Sequence, residues 1–426
     1  MKKSSSVSSG ALILAGVIAC FILSGFAALL YQTAWMRQFS LVFGTSELAI
    51  AAVLSAYMGG LALGAAIAAR FVHRIRRPVL FYGVLEAGIA ISALLVPWLL
   101  TLASLLYVAV LGGQPAPVDA SGLGQSFFYL IIAFLVLLIP TSFMGATLPL
   151  LTKYAVQTKE QIGSRVGLLY AMNTAGAIGG TLTAAFILLP RFGLNGTVWF
   201  GVVINLIVFL IAAFIAKSIG TLANAADLEG LSKDETPVVK DSPEETPTTS
   251  SSFSIRNWLF TKRGLILPII LISGANAFIY EVLFTRLLGH ILGGSITAFA
   301  TMLAGFLSGI AIGSAIASRF SKTRSQAALL FVCIQLCIAI AALLTYNFLP
   351  LAIPETSGLK GNVVLAIIVL LPTTLFIGAT FPLAVRILAK DENDAAASSA
   401  RIYSWNTVGA ISVSYTHLTL PTIYSV

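Results

Sequence analysis

Charged side chains are scarce in this sequence: they make up 10% of the 426 residues, whereas hydrophobic residues make up 58%. A soluble domain carries roughly 25% charged residues on a surface that faces water. The composition therefore excludes an ordinary soluble enzyme and predicts a surface that mostly faces lipid. Apolar runs of about 20 residues, each long enough to cross a hydrocarbon core of about 30 Å, recur along the chain.

Histidine and cysteine are also few, with three of each. Cys333 and Cys337 lie one helical turn apart, but no histidine or carboxylate is near them in sequence, so we interpret them as packing residues. The sequence has no glycine-rich phosphate loop, no metal-spaced His/Cys cluster and no nucleophile beside a base. We therefore predict no catalytic, cofactor-binding or metal-binding residue in this chain.

The apolar runs predict ten complete membrane spans and the start of an eleventh. They lie near residues 11–31, 48–70, 79–97, 127–149, 166–189, 196–216, 264–285, 296–319, 327–348 and 361–385, with the last starting near 401. Of the 25 basic residues, one side of the membrane then holds only Arg37, Arg191, Arg286 and Lys360. This bias places the N-terminus in the cytoplasm and the protein in the inner (cytoplasmic) membrane. The net charge of +9 thus reflects topology, and anionic lipid rather than nucleic acid is the expected partner.

The chain contains an internal repeat. Residues 24–71 align without gaps to residues 273–320 at an offset of 249, and 18 of the 48 positions are identical. Residues 140–150 match 372–383 with one extra residue, and the likeness continues at an offset of 233. Six helices per repeat would return the chain to its starting side, so both repeats enter the membrane in the same sense. This is the parallel-repeat arrangement of the major-facilitator transporters.

We predict an all-α polytopic membrane protein, major-facilitator-like, with two parallel six-helix repeats of which the second is incomplete. The first repeat spans residues 1–219, and a disordered cytoplasmic linker rich in Ser, Thr, Pro and charged residues spans 220–256. The second repeat, of about five helices, spans 257–412.

Residues 413–426 do not fit the repeat. Polar residues after Ser412 replace the apolar run of the first repeat, and in lipid their polar groups would lack partners. The string VSYTHLTLPT also resembles one reading frame of a transposase adapter used in sequencing libraries. We interpret 413–426 as an artefactual tail, with a short divergent native tail as the alternative.

Ionisable side chains inside apolar runs are the first candidate site residues. Glu86 lies well inside the third span, where a carboxylate costs roughly 2.5–3.5 kcal/mol on insertion scales. Its repeat mate is Gln335, which keeps the hydrogen-bonding groups without the charge. Glu86 and Gln335 are therefore either inter-helix hydrogen-bonding residues or parts of a substrate or proton site.

Five further residues complete the candidate set. Glu281, Arg286 and Arg37 lie near the predicted outer ends of the first helix of each repeat, where side chains reach water, and this favours an anchoring role over a site. Asn173 and Asn406 occupy matching repeat positions, and each is followed by Thr. They join helices by hydrogen bonds or contribute to a site.

Glycine and proline recur at matching positions. Gly60 and Gly64, like the mates at 309 and 313, have the four-residue spacing that lets helices approach closely in lipid, so we interpret them as packing residues. The runs 144–149 and 377–382 place Gly and Pro inside helices. Such paired interruptions indicate a cavity between the repeats, although each is also compatible with a simple kink.

Several of these motifs resemble those of one known family. The stretches Ser24–Arg37 and Met58–Gly64 resemble the membrane portion of the fused major-facilitator/spermidine synthase family. The runs Phe143–Pro149 and Arg165–Ala177 are similar to the same family. The resemblance implies a further C-terminal Rossmann-like domain that transfers an aminopropyl group from decarboxylated S-adenosylmethionine to a diamine. The glycine-rich turn and catalytic Asp of that domain have no counterpart here, so it implies no catalytic or cofactor-binding residue in this chain.

Three hypotheses follow. In the first, the chain is the membrane domain of a spermidine synthase-like protein of polyamine biosynthesis, truncated before its transferase domain. In the second, it is a stand-alone major-facilitator-like transporter, or a polyamine- or lipid-binding membrane module, in which Glu86 and the paired helix interruptions serve a small-molecule substrate. In the third, it is a structural assembly partner.

Overall fold

A computed structural model describes residues 2–43, 47–111, 123–231, 264–292, 296–352 and 359–423. This part of the chain forms eleven long helices and no β-strand. The helices of the first repeat are α1 (Lys2–Phe43), α2 (Glu47–Phe71), α3 (Pro78–Leu111), α4 (Leu123–Ala155), α5 (Gln161–Thr183) and α6 (Leu189–Leu231). Those of the second are α7 (Ile266–Leu292), α8 (Ile296–Phe320), α9 (Arg324–Ala352), α10 (Leu359–Leu388) and α11 (Glu392–Ile423). The all-α architecture predicted from the apolar runs is confirmed.

A single glycine near the start of α6 divides the longest apolar stretch of the described residues. The apolar stretch Gln161–Ile219 is 59 residues long, whereas one crossing needs about 20 residues. A π-helical turn over Ala184–Leu188 joins the two helices, and the direction changes at Gly193, which has φ 67° and ψ −169°. This conformation strains residues that carry a Cβ. Gly193 therefore divides the stretch into two crossings, between the predicted spans 166–189 and 196–216.

The last helix differs from the others in composition. Nine stretches of the described residues are long and apolar enough to cross a membrane, and α11 is not among them. Asp391 caps its start, because the Asp391 Oδ1 accepts the backbone N–H of Asp394 at 2.9 Å. The helical backbone continues past Ser412 to Ile423, where the sequence predicted that the helix could not be completed. Side chains from residue 414 onward lie outside the described residues, so the artefactual tail stays a prediction.

The linker boundary also shifts. Helix α6 remains helical to Leu231, beyond the predicted start of the linker at residue 220. The remainder of the predicted linker lies outside the described residues, and its disorder stays a prediction.

Two basic side chains at matching repeat positions donate hydrogen bonds to the loops that follow α2 and α8, on one membrane face. Lys153 Nζ at the end of α4 donates hydrogen bonds of 2.7 to 3.0 Å to three carbonyl oxygens after α2, those of Val72, His73 and Ile75. Its mate Arg386, at the end of α10, donates from Nε to the carbonyl oxygen of Lys322 after α8, at 3.3 Å. The two repeats therefore run in the same sense, as predicted. We call this membrane face the basic face.

Glycine allows the helices within each repeat to touch along their backbones. A Cβ on Gly64 of α2 would lie 1.9 Å from the carbonyl oxygen of Ser142 of α4. The mate Gly313 of α8 would meet the carbonyl oxygen of Leu375 of α10 at 1.8 Å. Neither position has room for a methyl group, so the packing interpretation of these glycines holds.

The two repeats meet at the basic face. A Cβ on Gly163, at the start of α5, would lie 2.6 Å from the Cβ of Ser321, which follows α8. One turn further along α5, the carbonyl oxygen of Gly167 accepts a hydrogen bond from Ser314 Oγ of α8 at 3.0 Å. Helix α2 packs against α11 in the symmetry-related way. We call these contacts the closed end of the molecule.

Candidate functional site

Glu86 is buried in a hydrogen-bonded cluster that joins three helices. Ser24 Oγ of α1 donates to one oxygen of its carboxylate at 2.5 Å, and Asn205 Nδ2 of α6 donates to the other. The Glu86 side chain has no exposed surface and does not line the large cavity described below. The geometry is that of an inter-helix hydrogen bond, the first of the two interpretations of Glu86.

The second repeat carries the matching interaction. Gln335 Nε2 donates a hydrogen bond of 3.0 Å to Ser273 Oγ. Ser273 is the repeat mate of Ser24, and Gln335 is the mate of Glu86, both at the offset of 249. A neutral amide therefore serves in the second repeat where a carboxyl group serves in the first, which shows that the contact between these helices does not require a charge.

A cavity of about 250 Å³ lies between the two repeats. Its walls come from α1, α2, α4 and α5 of the first repeat and from their mates α7, α8, α10 and α11 of the second. The paired Gly/Pro runs contribute Thr147 and Thr380, which face the cavity, while α4 and α10 remain helical through both runs. The sequence-based expectation of a cavity at these runs agrees with this arrangement.

Most polar residues of the cavity come in symmetry-related pairs, one residue from each repeat; Tyr57, whose mate is Phe306, is not matched in this way. The pairs are Ser24 with Ser273, Gln32 with Glu281, Thr147 with Thr380, Tyr170 with Tyr403, and Asn173 with Asn406. In four of the pairs the two residues are identical. The pair of Gln32 and Glu281 is the exception, because only its second member is charged.

Glu281 is the only charged residue among the described residues that line the cavity. Its side chain is half-buried, and Tyr170 lines the same cavity. Among the described residues, no hydrogen bond or ion pair engages the Glu281 carboxylate. The carboxylate is thus available to a solute that enters the cavity.

Of the two arginines of the candidate set, Arg37 does not join this group. Arg37 is exposed and is not a cavity residue. The side chain of Arg286 lies outside the described residues. Of the seven sequence-based candidates, the structure brings Glu281, Asn173 and Asn406 together in the cavity and places Glu86 and Gln335 in packing contacts.

Three aromatic rings form one wall of the cavity. The rings of Tyr170 and Phe381 stack with centroids 4.5 Å apart, and Tyr403 meets Phe381 edge-on at 6.2 Å. The sequence-based candidates omitted all three residues. The repeat could have indicated two of them, since Tyr170 and Tyr403 are identical at matching positions inside apolar runs.

The described residues of the cavity offer few side chains that could coordinate a metal ion. Within the described ranges, no three His, Cys, Asp or Glu side chains come together in a group that could hold a metal ion. The cavity itself offers one carboxylate, whereas divalent cations take several oxygen ligands.

The fold matches solved structures of transporters. The chain is similar to a bacterial homologue of the iron transporter ferroportin in an outward-facing state, with a TM-score of 0.56, 13% identity, and coverage of 96% of this chain and 92% of that one. It is equally similar to the major-facilitator proton:xylose symporter XylE bound to 6-bromo-6-deoxy-D-glucose, with a TM-score of 0.56, 13% identity, and coverage of 96% and 88%. No protein-family model matches the chain, and no curated protein sequence matches it either.

These neighbours correct the family expected from the sequence motifs. The resemblance to the fused major-facilitator/spermidine synthase family is wrong as an assignment, because the structural matches are transporters and none points to a spermidine synthase fusion. The resemblance alone had implied a transferase function, a place in polyamine biosynthesis and a further Rossmann-like domain. These three expectations are therefore no longer supported. The motifs misled because several of their residues, such as Gly25, Gly64 and Gly145, meet the backbone of a neighbouring helix. Helix packing alone accounts for them.

The fold is that of a multi-pass integral membrane protein built from two parallel, major-facilitator-like repeats.

Proposed function

We propose that this chain is a stand-alone major-facilitator-like transporter that moves a small solute across the membrane by alternating access. The observation that carries the proposal is the central cavity, most of whose polar residues are contributed in matched pairs by both repeats. In transporters of this kind, the substrate site lies at the repeat interface, and the two halves rock around it.

The contacts at the closed end support the same mechanism. On the basic face the repeats touch through small residues, including Gly163, Gly167 and Ser314, with a single hydrogen bond between α5 and α8 among the described contacts. Alternating access requires this contact to open when the cavity faces the basic side. A cavity closed on the basic face corresponds to an outward-facing state if the N-terminus is cytoplasmic, as the charge bias predicts.

The two transporter neighbours are named for different solutes, iron for one and xylose for the other. Their likeness to this chain is limited to the fold, so it does not select a solute. The solute class must therefore come from the cavity itself.

Accessibility from both membrane faces tests the proposal without a known substrate. In a background in which Cys20, Cys333 and Cys337 are replaced, Ala277→Cys places one thiol in the cavity. We expect a membrane-impermeant maleimide to label this thiol in right-side-out and in inside-out vesicles, because alternating access exposes the cavity to each face in turn.

Two exposed positions supply the controls for sidedness. Lys159→Cys on the basic face and Arg37→Cys at the far end of α1 are each expected to react from one face only. Labelling of Ala277→Cys from a single face, with both controls behaving as expected, would indicate a static binding module and overturn the transporter proposal.

A further inference from the structure

We propose that the cavity binds a small, singly charged organic ammonium ion, whose cationic group lies between the Glu281 carboxylate and the aromatic wall of Tyr170, Phe381 and Tyr403. This inference rests on the proposed transporter function and names its solute class.

The charge of the cavity supports a cation. Glu281 is its only charged lining residue among those described, so none of the described lining residues offsets the charge of the carboxylate when Glu281 is ionised. An intramembrane carboxylate without a partner is costly, and such residues mark pathways for ions and substrates.

A comparison with Glu86 shows that a packing role does not explain why a carboxylate lies at position 281. Glu86 receives hydrogen bonds from Ser24 and Asn205, which satisfy both of its oxygens. Glu281 has no such partner among the described residues. Its repeat mate Gln32 faces the same cavity with an uncharged amide, so the fold does not need a carboxylate at this pair of positions. The charge is therefore better explained by a ligand than by packing.

The aromatic wall supports an organic cation. A cation over the face of Tyr or Phe is attracted by the ring quadrupole, and the attraction is stronger where water is excluded. Tyr170, Phe381 and Tyr403 line the same cavity as Glu281. One cavity thus offers both a carboxylate and aromatic rings, a combination that suits an alkylammonium group.

The volume of the cavity and the side chains that line it narrow the class of solute further. A volume of about 250 Å³ lies below the range of about 300–1,000 Å³ usual for pockets that bind drug-sized ligands, so the solute is small. A single carboxylate neutralises one positive charge, which disfavours a dication. The paired Asn and Thr side chains provide hydrogen bonds for a hydroxyl or similar group on the rest of the solute.

Thermal stabilisation by matched ligands tests the inference. The probes are choline, ethanolamine and tetramethylammonium, with 3,3-dimethylbutan-1-ol as the uncharged isostere of choline. We expect at least one of the cations to raise the unfolding temperature of the purified protein in a saturable way, and the alcohol to have no such effect. Glu281→Gln should weaken the binding of that cation by about tenfold or more, the loss typical for removing a charged partner.

The repeat provides a matched rescue variant. The double variant Gln32→Glu with Glu281→Gln moves the carboxylate to the symmetry-related wall of the cavity, and we expect it to regain part of the lost affinity. Glu281→Gln without ligand should unfold close to the wild-type temperature, because the mate at that position is already Gln. This comparison separates lost binding from lost folding.

Several outcomes would overturn the inference: none of the three cations stabilises the protein, the alcohol acts as well as choline, or Glu281→Gln binds as tightly as the wild type. These results are distinguishable from failure of the transporter proposal, which is decided by the two-sided labelling of Ala277→Cys. A protein labelled from both faces that binds none of the cations would remain a transporter with a different solute.

Discussion

Replacing Gly313 by Ala should lower the unfolding temperature of the purified protein clearly. The new methyl group would lie 1.8 Å from the carbonyl oxygen of Leu375 and 2.7 Å from its carbonyl carbon. Backbone atoms on α10 cannot rotate away as a side chain can, so α8 and α10 must separate. Overpacking of this kind typically costs about 1–3 kcal/mol, and occasionally more. Helix contacts in lipid depend on close packing, because lipid tails are as apolar as the helix side chains and no hydrophobic effect drives the helices together.

Gly305 on the same helix provides the control. Its Cβ would meet only the Leu370 Cδ1, at 3.3 Å, and the end of a leucine side chain can move by a few tenths of an ångström. We expect Gly305→Ala to be neutral or slightly stabilising, since Ala is favoured over Gly within helices by roughly 0.5–1 kcal/mol. Thermal unfolding of both variants in the same detergent makes the comparison. Equal stability of the two would contradict the close helix contact at Gly313.

Glu86→Ala should also destabilise the protein strongly. The substitution removes the acceptor of two buried donors, the hydroxyl of Ser24 and the amide of Asn205. An unsatisfied buried polar group costs about 1–3 kcal/mol. Glu86→Ala leaves two such groups, the Ser24 hydroxyl on α1 and the Asn205 amide on α6. A fall in the unfolding temperature, together with reduced yield of folded protein in the membrane, is the expected result.

Glu86→Gln separates structure from function at this position. The amide oxygen can still accept one hydrogen bond, and the mate Gln335 already makes the equivalent contact with Ser273. We therefore expect Glu86→Gln to be much less destabilising than Glu86→Ala and to leave two-sided labelling of Ala277→Cys intact. A well-folded Glu86→Gln protein that is labelled from one face only would show that the carboxyl group serves transport rather than packing.

The helices and the repeat could be predicted from sequence because their signals are long. Apolar runs of span length and 48 aligned positions at one offset leave few alternatives for an integral membrane chain. The packing role of Gly64 and Gly313 followed from their spacing. The short turn at Gly193 could also be located, as the gap between two predicted spans.

The place of Glu281 in the cavity was predicted only in part: Glu281 belonged to the candidate set, but its expected position at a helix end favoured an anchoring role. The predicted spans ended at residues 31 and 285, which placed Gln32 and Glu281 near water. Helices α1 and α7 extend to Phe43 and Leu292, so both residues lie well inside their helices. Apolar composition indicates where a chain enters lipid, but not how far a helix continues or which face meets the other repeat.

Family assignment from short motifs failed for a related physical reason. The runs 58–64 and 143–149 contain glycines, such as Gly64 and Gly145, at points where two helices cross closely and only small residues fit. Any protein with the same crossings needs similar residues, whatever domain follows the helices. Glu86 drew attention for its charge, whereas the structure places it in a buried inter-helix hydrogen bond, and Gln335 makes the equivalent contact at the matching position.

The most direct test of the transporter account measures the distance between the repeats at the closed end. Spin labels on Lys159→Cys and Lys322→Cys, both exposed on the basic face, report it by double electron–electron resonance in lipid nanodiscs. Gly167→Leu provides the perturbation, because even its Cβ would lie 2.8 Å from the Cβ of Ser318 across the interface.

Alternating access predicts that Gly167→Leu shifts the distribution from a short distance to a longer one, as the closed end opens and the opposite end closes. The thiol of Ala277→Cys should then react faster from the basic face than in the parent protein. A single unchanged short distance in a folded Gly167→Leu protein would contradict the account, because the two repeats would then be fixed in one arrangement.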